Sequence, residues 1–200
     1  MRQHFGAVLL AAGCSSRMGE MKGLLPWAAG QKIIEYQLEQ LRKSRIAEIV
    51  VVVGHDADKI IPVVEPFEVA VIQNKDYQQG KSLSIRVGVS KLTDTVSGII
   101  IIAMDQPVSH YVIDGLIVAN EKNDSPITVP VYKGKRGHPI LFSSRLRTDI
   151  LNIQEQTFGL RQVVGKYRSQ IAEVEVADPS IHFNLNTPQD YYRAKNKLNG

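Results

Sequence analysis

The chain has a single cysteine, Cys14, among its 200 residues. An internal disulfide is therefore excluded, and with it the usual reason to assign an oxidising compartment. Long hydrophobic runs are also missing. The longest, at residues 99–104 and 49–53, fall far short of the roughly 18 to 20 residues of a membrane-spanning helix. An apolar stretch at residues 5–12 follows only Arg2 and His4 and faintly mimics a signal peptide, but it reads better as a first strand. A cytoplasmic location with no membrane partner is the expectation. Aromatic residues are scarce at 6%, and the net charge of +4 comes from basic residues dispersed among acidic ones. Without a basic stripe interleaved with aromatics, nucleic acid is not the expected partner, whereas phosphorylated small molecules suit the mild positive balance. His4, His55, His110 and His182 show no ligand spacing, which excludes a zinc site from the reading.

What is present is a 44% hydrophobic composition, enough to cover both faces of a central sheet in one domain spanning residues 1–200. Short β-branched runs alternate with helix-period segments, the pattern of βαβ units. Strands are expected near residues 6–11, 48–53, 69–73 and 98–104, with shorter antiparallel or edge strands near 127–131 and 172–176. Helices are expected near 32–43, 82–92, 111–121, 158–167 and 188–198. In the first of these, Ile33, Ile34, Leu38 and Leu41 share a face, while Glu35, Glu39, Arg42 and Lys43 face water. The fold class is α/β, with a three-layer, Rossmann-like, mostly parallel sheet carrying helices on both faces. Such sheets bind ligands beyond the carboxyl ends of their strands.

The first such end leads into Leu10-Ala11-Ala12-Gly13-Cys14-Ser15-Ser16-Arg17-Met18-Gly19-Glu20-Met21-Lys22. Small residues let backbone amides approach a phosphate, and Arg17 and Lys22 can offset triphosphate charge. The segment is not a Walker A loop, because Gly19 is followed by Glu20-Met21-Lys22, and the dinucleotide Gly-x-Gly-x-x-Gly is absent. Composition alone fits a strand-to-helix connection with solvated cations equally well. Cys14 has no assignable basic partner and is read as a small loop residue.

The strand near 98–104 delivers Asp105-Gln106-Pro107 to the sheet edge. A carboxylate there suits a hard cation such as Mg²⁺, and an Asp before a Pro turn is equally a good turn former. Further on, Thr187 reads as a helix N-cap, with Pro188 at the first helical position and Asp190 three residues beyond the cap. That local account leaves Asn186 unexplained. Asn74 and Ser82, with Gly80 between them, precede or open a helix whose positive end favours an anion.

From Leu10 through Pro26, the pattern Leu-Ala-Ala-Gly-x-Ser-x-Arg-Met-Gly-x-x-Lys followed by Leu-Leu-Pro resembles the signature loop of MobA-like nucleotidyltransferases, which include molybdenum cofactor guanylyl- and cytidylyltransferases. Three other segments are similar to that family. The stretch Gly80-Lys81-Ser82-Leu83-Ser84-Ile85-Arg86-Val87-Gly88 resembles its Gly-Met-Ser-Ser-Ser-Leu-x-x-Gly loop, with Lys81 and Leu83 departing from it. Arg136-Gly137-His138-Pro139-Ile140-Leu141-Phe142 resembles the acceptor-side element Arg-Gly-His-Pro-x-x-Phe, and Asn184 to Asp190 resembles the metal-side element Asp/Asn-x-Asp/Asn-Thr-Pro-Glu.

The resemblance implies a nucleotide-diphospho-sugar transferase-like fold. It implies nucleotide binding by Leu10, Ala11, Ala12, Gly13, Ser15, Arg17, Lys22, Asn74, Gly80 and Ser82, with Arg17, Lys22 and Asp105 in catalysis. Asp105 and Asn186 would hold Mg²⁺, while Gln106, Pro107, Arg136 and His138 would lie on the acceptor side. The partners implied are a nucleoside triphosphate, a phosphorylated acceptor with molybdopterin favoured, and a molybdenum hydroxylase. Ala12 points to CTP, since the guanylyl branch carries Gly there, whereas Gly23 and the amide of Asn186 lean toward the guanylyl branch. Two other functions remain open, a transferase acting on a sugar phosphate or alcohol phosphate and a non-catalytic accessory protein for molybdenum hydroxylases.

Overall fold

The computed structural model describes residues 4–14 and 18–198. In chain order the elements are β1 (Phe5–Ala11), α1 (Ile33–Lys43), β2 (Ile46–Val53), α2 (Ala57–Val64), β3 (Ala70–Gln73), α3 (Lys81–Lys91), β4 (Gly98–Ala103), α4 (His110–Asn123), β5 (Ile127–Tyr132), β6 (Lys135–Arg136), β7 (Ile140–Ser143), α5 (Arg147–Leu151), α6 (Leu160–Lys166), β8 (Ile171–Glu175) and α7 (Pro188–Leu198). The strands form one sheet in the order β3-β2-β1-β4-β7-β5-β6, with β8 paired to β5. The pairs β3-β2, β2-β1 and β1-β4 are parallel, and β7 enters antiparallel between β4 and β5.

Strand periodicity explains the three layers. In β1 the odd residues Phe5, Ala7, Leu9 and Ala11 join one core cluster, packed with Ile33, Leu38 and Leu41 of α1 and with Ile113, Leu116 and Ile117 of α4. The even residues Val8 and Leu10 join the other, packed with Ile85 and Val89 of α3, Ile150 of α5 and Val163 of α6. Strands β2 and β4 divide in the same way. Alternate side chains leave a sheet on opposite faces, so a strand between two helical layers must be apolar at every position. Every residue of β1 is buried accordingly.

The sequence reading did not anticipate β6 or α5, and three further elements differ from it. Helix α2 carries Pro62 in its interior, which masks it as a helix; Ala57, Ile60 and Val64, spaced three and four apart, bury its inner face regardless. Strand β7 lies within the segment read only as an acceptor element, and it makes β5 an interior strand, antiparallel to β7 and parallel to β8. The helix expected from residue 158 begins instead at Leu160, because Phe158 has φ 64° and cannot continue a right-handed helix. The last helix is capped as read: the Asp190 N–H donates to Thr187 Oγ1 (3.2 Å) and the Thr187 N–H donates to Asp190 Oδ2 (3.1 Å).

Gly88 lets α3 lie close against the sheet. A Cβ there would fall 2.4 Å from Val8 Cγ1 and 2.8 Å from Val52 Cγ2, both on β-branched side chains with little rotamer freedom. Gly88→Ala is expected to lower stability by about 1–3 kcal/mol through overpacking, despite the better helix propensity of alanine. Chemical denaturation checks this, and an unchanged midpoint would show that the helix shifts freely.

Candidate functional site

The carboxyl ends of β1 and β4 point to one edge of the sheet, and the loops that follow are tied to it through the backbone. The Met104 N–H donates to Leu10 O (3.0 Å), and the His55 N–H donates to Ala12 O (3.2 Å). A short 3-10 turn, Lys22–Leu24, then turns Lys22 inward, leaving it 8% exposed. Lys22 Nζ donates to Asp105 Oδ2 (3.2 Å) and to Asn186 Oδ1 (2.9 Å). The second tie joins residues separated by 164 positions. The two acceptor loops are themselves stitched together: the Leu185 N–H donates to Asp105 O (2.9 Å), and Gln106 Nε2 donates to Asn184 Oδ1 (2.7 Å). Gln37 of α1 supports this from below by donating to Gln106 O (2.8 Å).

Two cavities meet here. The smaller, about 240 Å³, is walled by Leu10, Ala12, Gly13, Lys22 and Asp105, and also by Tyr77, Gly80 and Lys81. The larger, about 670 Å³, runs between α3 and α6 past Gln106, His138, Glu155, Phe158 and Arg161. Its apolar wall comes from Ile85, Ile101, Ile140, Leu160 and Val164. Lys81 and Ala103 belong to both.

The other expected residues distribute as follows. Gly80 lines the smaller cavity and Ser82 the larger. Asn74 is buried behind them, donating to Ser84 Oγ (2.9 Å) and accepting from the Asp76 N–H (3.0 Å), so it props the start of α3. Ala11 is buried in the core on the α1 side of the sheet. Pro107 is buried and is not part of either cavity wall. Arg136 is not brought to the cleft; it lies exposed on β6 with Nε donating to Glu173 Oε1 (2.7 Å). Ser15 and Arg17 lie outside the described residues. Gly23 has a packing reason, since a Cβ there would meet Met104 Sδ at 2.4 Å.

The amino end of α3 carries an anion of the protein's own. The Ser82 N–H donates to Glu155 Oε2 (2.8 Å). Hydrogen bonds from Ser82 and the nearby charge of Lys81 hold the Glu155 carboxyl below the usual range. Lys81 is reachable from the cleft yet crowded by protein, and this burial lowers its amine pKa against the opposing pull of Asp105 and Glu155. Burial, then the charge of Lys81, pushes His138 down as well, so its imidazole is neutral at neutral pH.

Tyr77, Lys81, Glu155, Phe158 and Arg161 are cavity residues that sequence reasoning did not assign. The only signal for any of them was the departure of Lys81 from the loop it resembles. His55 Nδ1 lies 3.1 Å from the Tyr77 hydroxyl and so fixes that ring at the cavity wall.

The MobA-like NTP transferase domain matches residues 7–171. The molybdenum cofactor cytidylyltransferase of Escherichia coli (strain K12) is 28% identical over 193 residues, covering 95% of either chain. The nicotine blue oxidoreductase of Paenarthrobacter nicotinovorans is 26% identical over 200 residues, covering 93% of this chain and 94% of its own. A Mycobacterium tuberculosis protein solved in complex with manganese superposes with a TM-score of 0.80 at 22% identity, covering 97% of this chain and 99% of its own. With most of its length matched and the site built at the expected strand ends, the chain belongs to the MobA-like NTP transferase family.

Proposed function

We propose that the protein transfers a nucleoside monophosphate, CMP by preference, from its triphosphate to the terminal phosphate of molybdopterin, releasing pyrophosphate. The observation that carries this reading is the pairing of Lys22 and Asp105 in the wall of a small cavity beside a larger one, with Asn186 accepting from the same Lys22 ammonium. An acceptor phosphate oxygen attacks the α-phosphorus, the bond from that phosphorus to the β-phosphate oxygen breaks, and the electron pair leaves with pyrophosphate. Such a transfer depends on positioning and charge neutralisation and needs no protein nucleophile.

The residues fit a magnesium ion. A carboxylate and an amide oxygen converge on one cation here, the Lys22 ammonium at 3.2 and 2.9 Å; Mg²⁺, which takes one or two protein oxygens together with substrate phosphates, would take that place and leave Lys22 to turn to the pyrophosphate. Asp105 and Asn186 would hold it, and when bound it would neutralise charge on the phosphate oxygens. A protein of the same fold has been solved in complex with manganese, which is consistent with a divalent cation in this reaction. Lys22 neutralises charge on the departing pyrophosphate. The larger cavity, apolar along one wall and flanked by Lys81 and Arg161, suits a heterocyclic acceptor that ends in a phosphate.

The choice of base follows from Ala12. It is 6% exposed and walls the smaller cavity. The Ala12 methyl takes up space beside the backbone of this cavity that a glycine would leave open, which disfavours a purine more than a pyrimidine. CTP is expected to exceed GTP in kcat/KM by roughly 10- to 200-fold, the range available to one apolar pocket contact, and Ala12→Gly should narrow the ratio. Kinetics with both triphosphates and the same acceptor check this, and equal values in the wild type would remove Ala12 from the choice.

A second reading is favoured by the likeness to an enzyme named for an oxidoreductase activity, since one fold hosts unrelated chemistries. On that reading, and on that of a non-catalytic accessory protein, no triphosphate yields pyrophosphate.

A further inference from the structure

Lys81 stands where the resembling family loop has methionine, as the first residue of α3 and in the walls of both cavities. Its backbone is set by two features. Gly80, at φ 111°, turns the chain into the helix, and Glu155 fastens the next residue by accepting from the Ser82 N–H at 2.8 Å. A Cβ on Gly80 would meet Glu155 Cδ at 2.6 Å, so glycine is what lets the carboxylate sit there. Among the described residues no hydrogen bond or ion pair engages the Lys81 ammonium, unlike Lys22, Lys59 and Lys166. A lysine in the walls of both cavities, drawn toward Asp105 and Glu155 but hydrogen-bonded to neither, lies where the acceptor of the transfer would approach the triphosphate.

We propose that Lys81 binds the anionic terminus of the acceptor, and so selects phosphate monoesters carried on an apolar or heterocyclic body over neutral alcohols. This inference rests on the transferase reading for its place in catalysis, although the binding it predicts is measurable without turnover. Arg161 shares the larger cavity and adds to the positive field. The apolar wall of Ile85, Ile140 and Leu160 takes the body of the acceptor.

The test is calorimetric titration of wild type, Lys81→Met and Lys81→Arg with phenyl phosphate, with benzyl alcohol as the uncharged control and CTP as the control for the neighbouring cavity. Phenyl phosphate affinity is expected to fall about 10- to 100-fold in Lys81→Met, the effect of losing one charge-assisted hydrogen bond. It should be largely restored in Lys81→Arg, and CTP affinity, whose cavity Lys81 also walls, should fall by clearly less than phenyl phosphate affinity in Lys81→Met. Retained CTP binding also shows that the variants are folded. Equal phenyl phosphate affinity in wild type and Lys81→Met, no binding to wild type, or a parallel loss for CTP each overturns the assignment. Lys81-dependent phenyl phosphate binding in a protein that releases no pyrophosphate from any triphosphate would overturn the transferase reading and leave the Lys81 site standing.

Discussion

Lys22→Ala is expected to lower turnover by about 10²-fold or more, the usual loss when one preorganised contact to developing charge is removed. The ammonium is preorganised for that role, being 8% exposed and braced between Asp105 Oδ2 and Asn186 Oδ1. The effect on stability should be smaller. The Asp105 side chain is 24% exposed, so water can solvate the carboxylate that Lys22 leaves behind, and the loss is expected near 1 kcal/mol, or roughly 2–4 °C in Tm. A hundredfold rate loss corresponds to about 2.7 kcal/mol of transition-state stabilisation, more than twice that figure. Steady-state turnover and a melting curve on the same preparation separate the two. Wild-type turnover in Lys22→Ala would remove this residue from the chemistry.

Asp105→Asn is expected to abolish most activity at ordinary Mg²⁺ concentrations, again by about 10²-fold or more. Two effects act together. The amide is a weaker ligand for a hard cation than a carboxylate, and the charge that holds Lys22 in place is lost. The backbone role of Asp105 survives, since its carbonyl still accepts from the Leu185 N–H, so the fold should persist. Partial recovery at raised Mg²⁺ would mark the lost function as cation binding, and full activity in a folded variant would move the cation elsewhere.

Much of the layered architecture is legible in the sequence because it rests on local periodicity. The apolar runs of β1 and β4 are uninterrupted, as is that of β2 from Ile49 onward, beyond Glu48, as strands covered on both faces must be. Elements that rest on context were harder to read. Pro62 hides α2, which survives by burying Ala57, Ile60 and Val64. The apolar residues of β7 are few, and only their place between β4 and β5 makes them a strand.

The site divides in the same way. Lys22 and Asp105 stand just beyond strand ends, where open α/β sheets collect ligand-binding residues, and they meet as that rule anticipates. Asn186 was legible only because helix capping explained its neighbours and not itself. Arg136 looked equivalent to His138 by proximity in sequence, yet the chain sends Arg136 to Glu173 on the surface and His138 into the larger cavity. Glu155 and Arg161 could not be anticipated, because they reach α3 from a segment more than 70 residues away.

The central claim is that this cleft passes a nucleoside monophosphate from a triphosphate to a phosphorylated acceptor. Its most direct test is incubation of the purified protein with α-labelled CTP, molybdopterin and Mg²⁺, followed through both products. The label is expected to pass to molybdopterin with one pyrophosphate released per label transferred, and both products are expected to be lost when Mg²⁺ is removed by chelation. Absence of labelled product and of pyrophosphate with CTP and with every other triphosphate would contradict it.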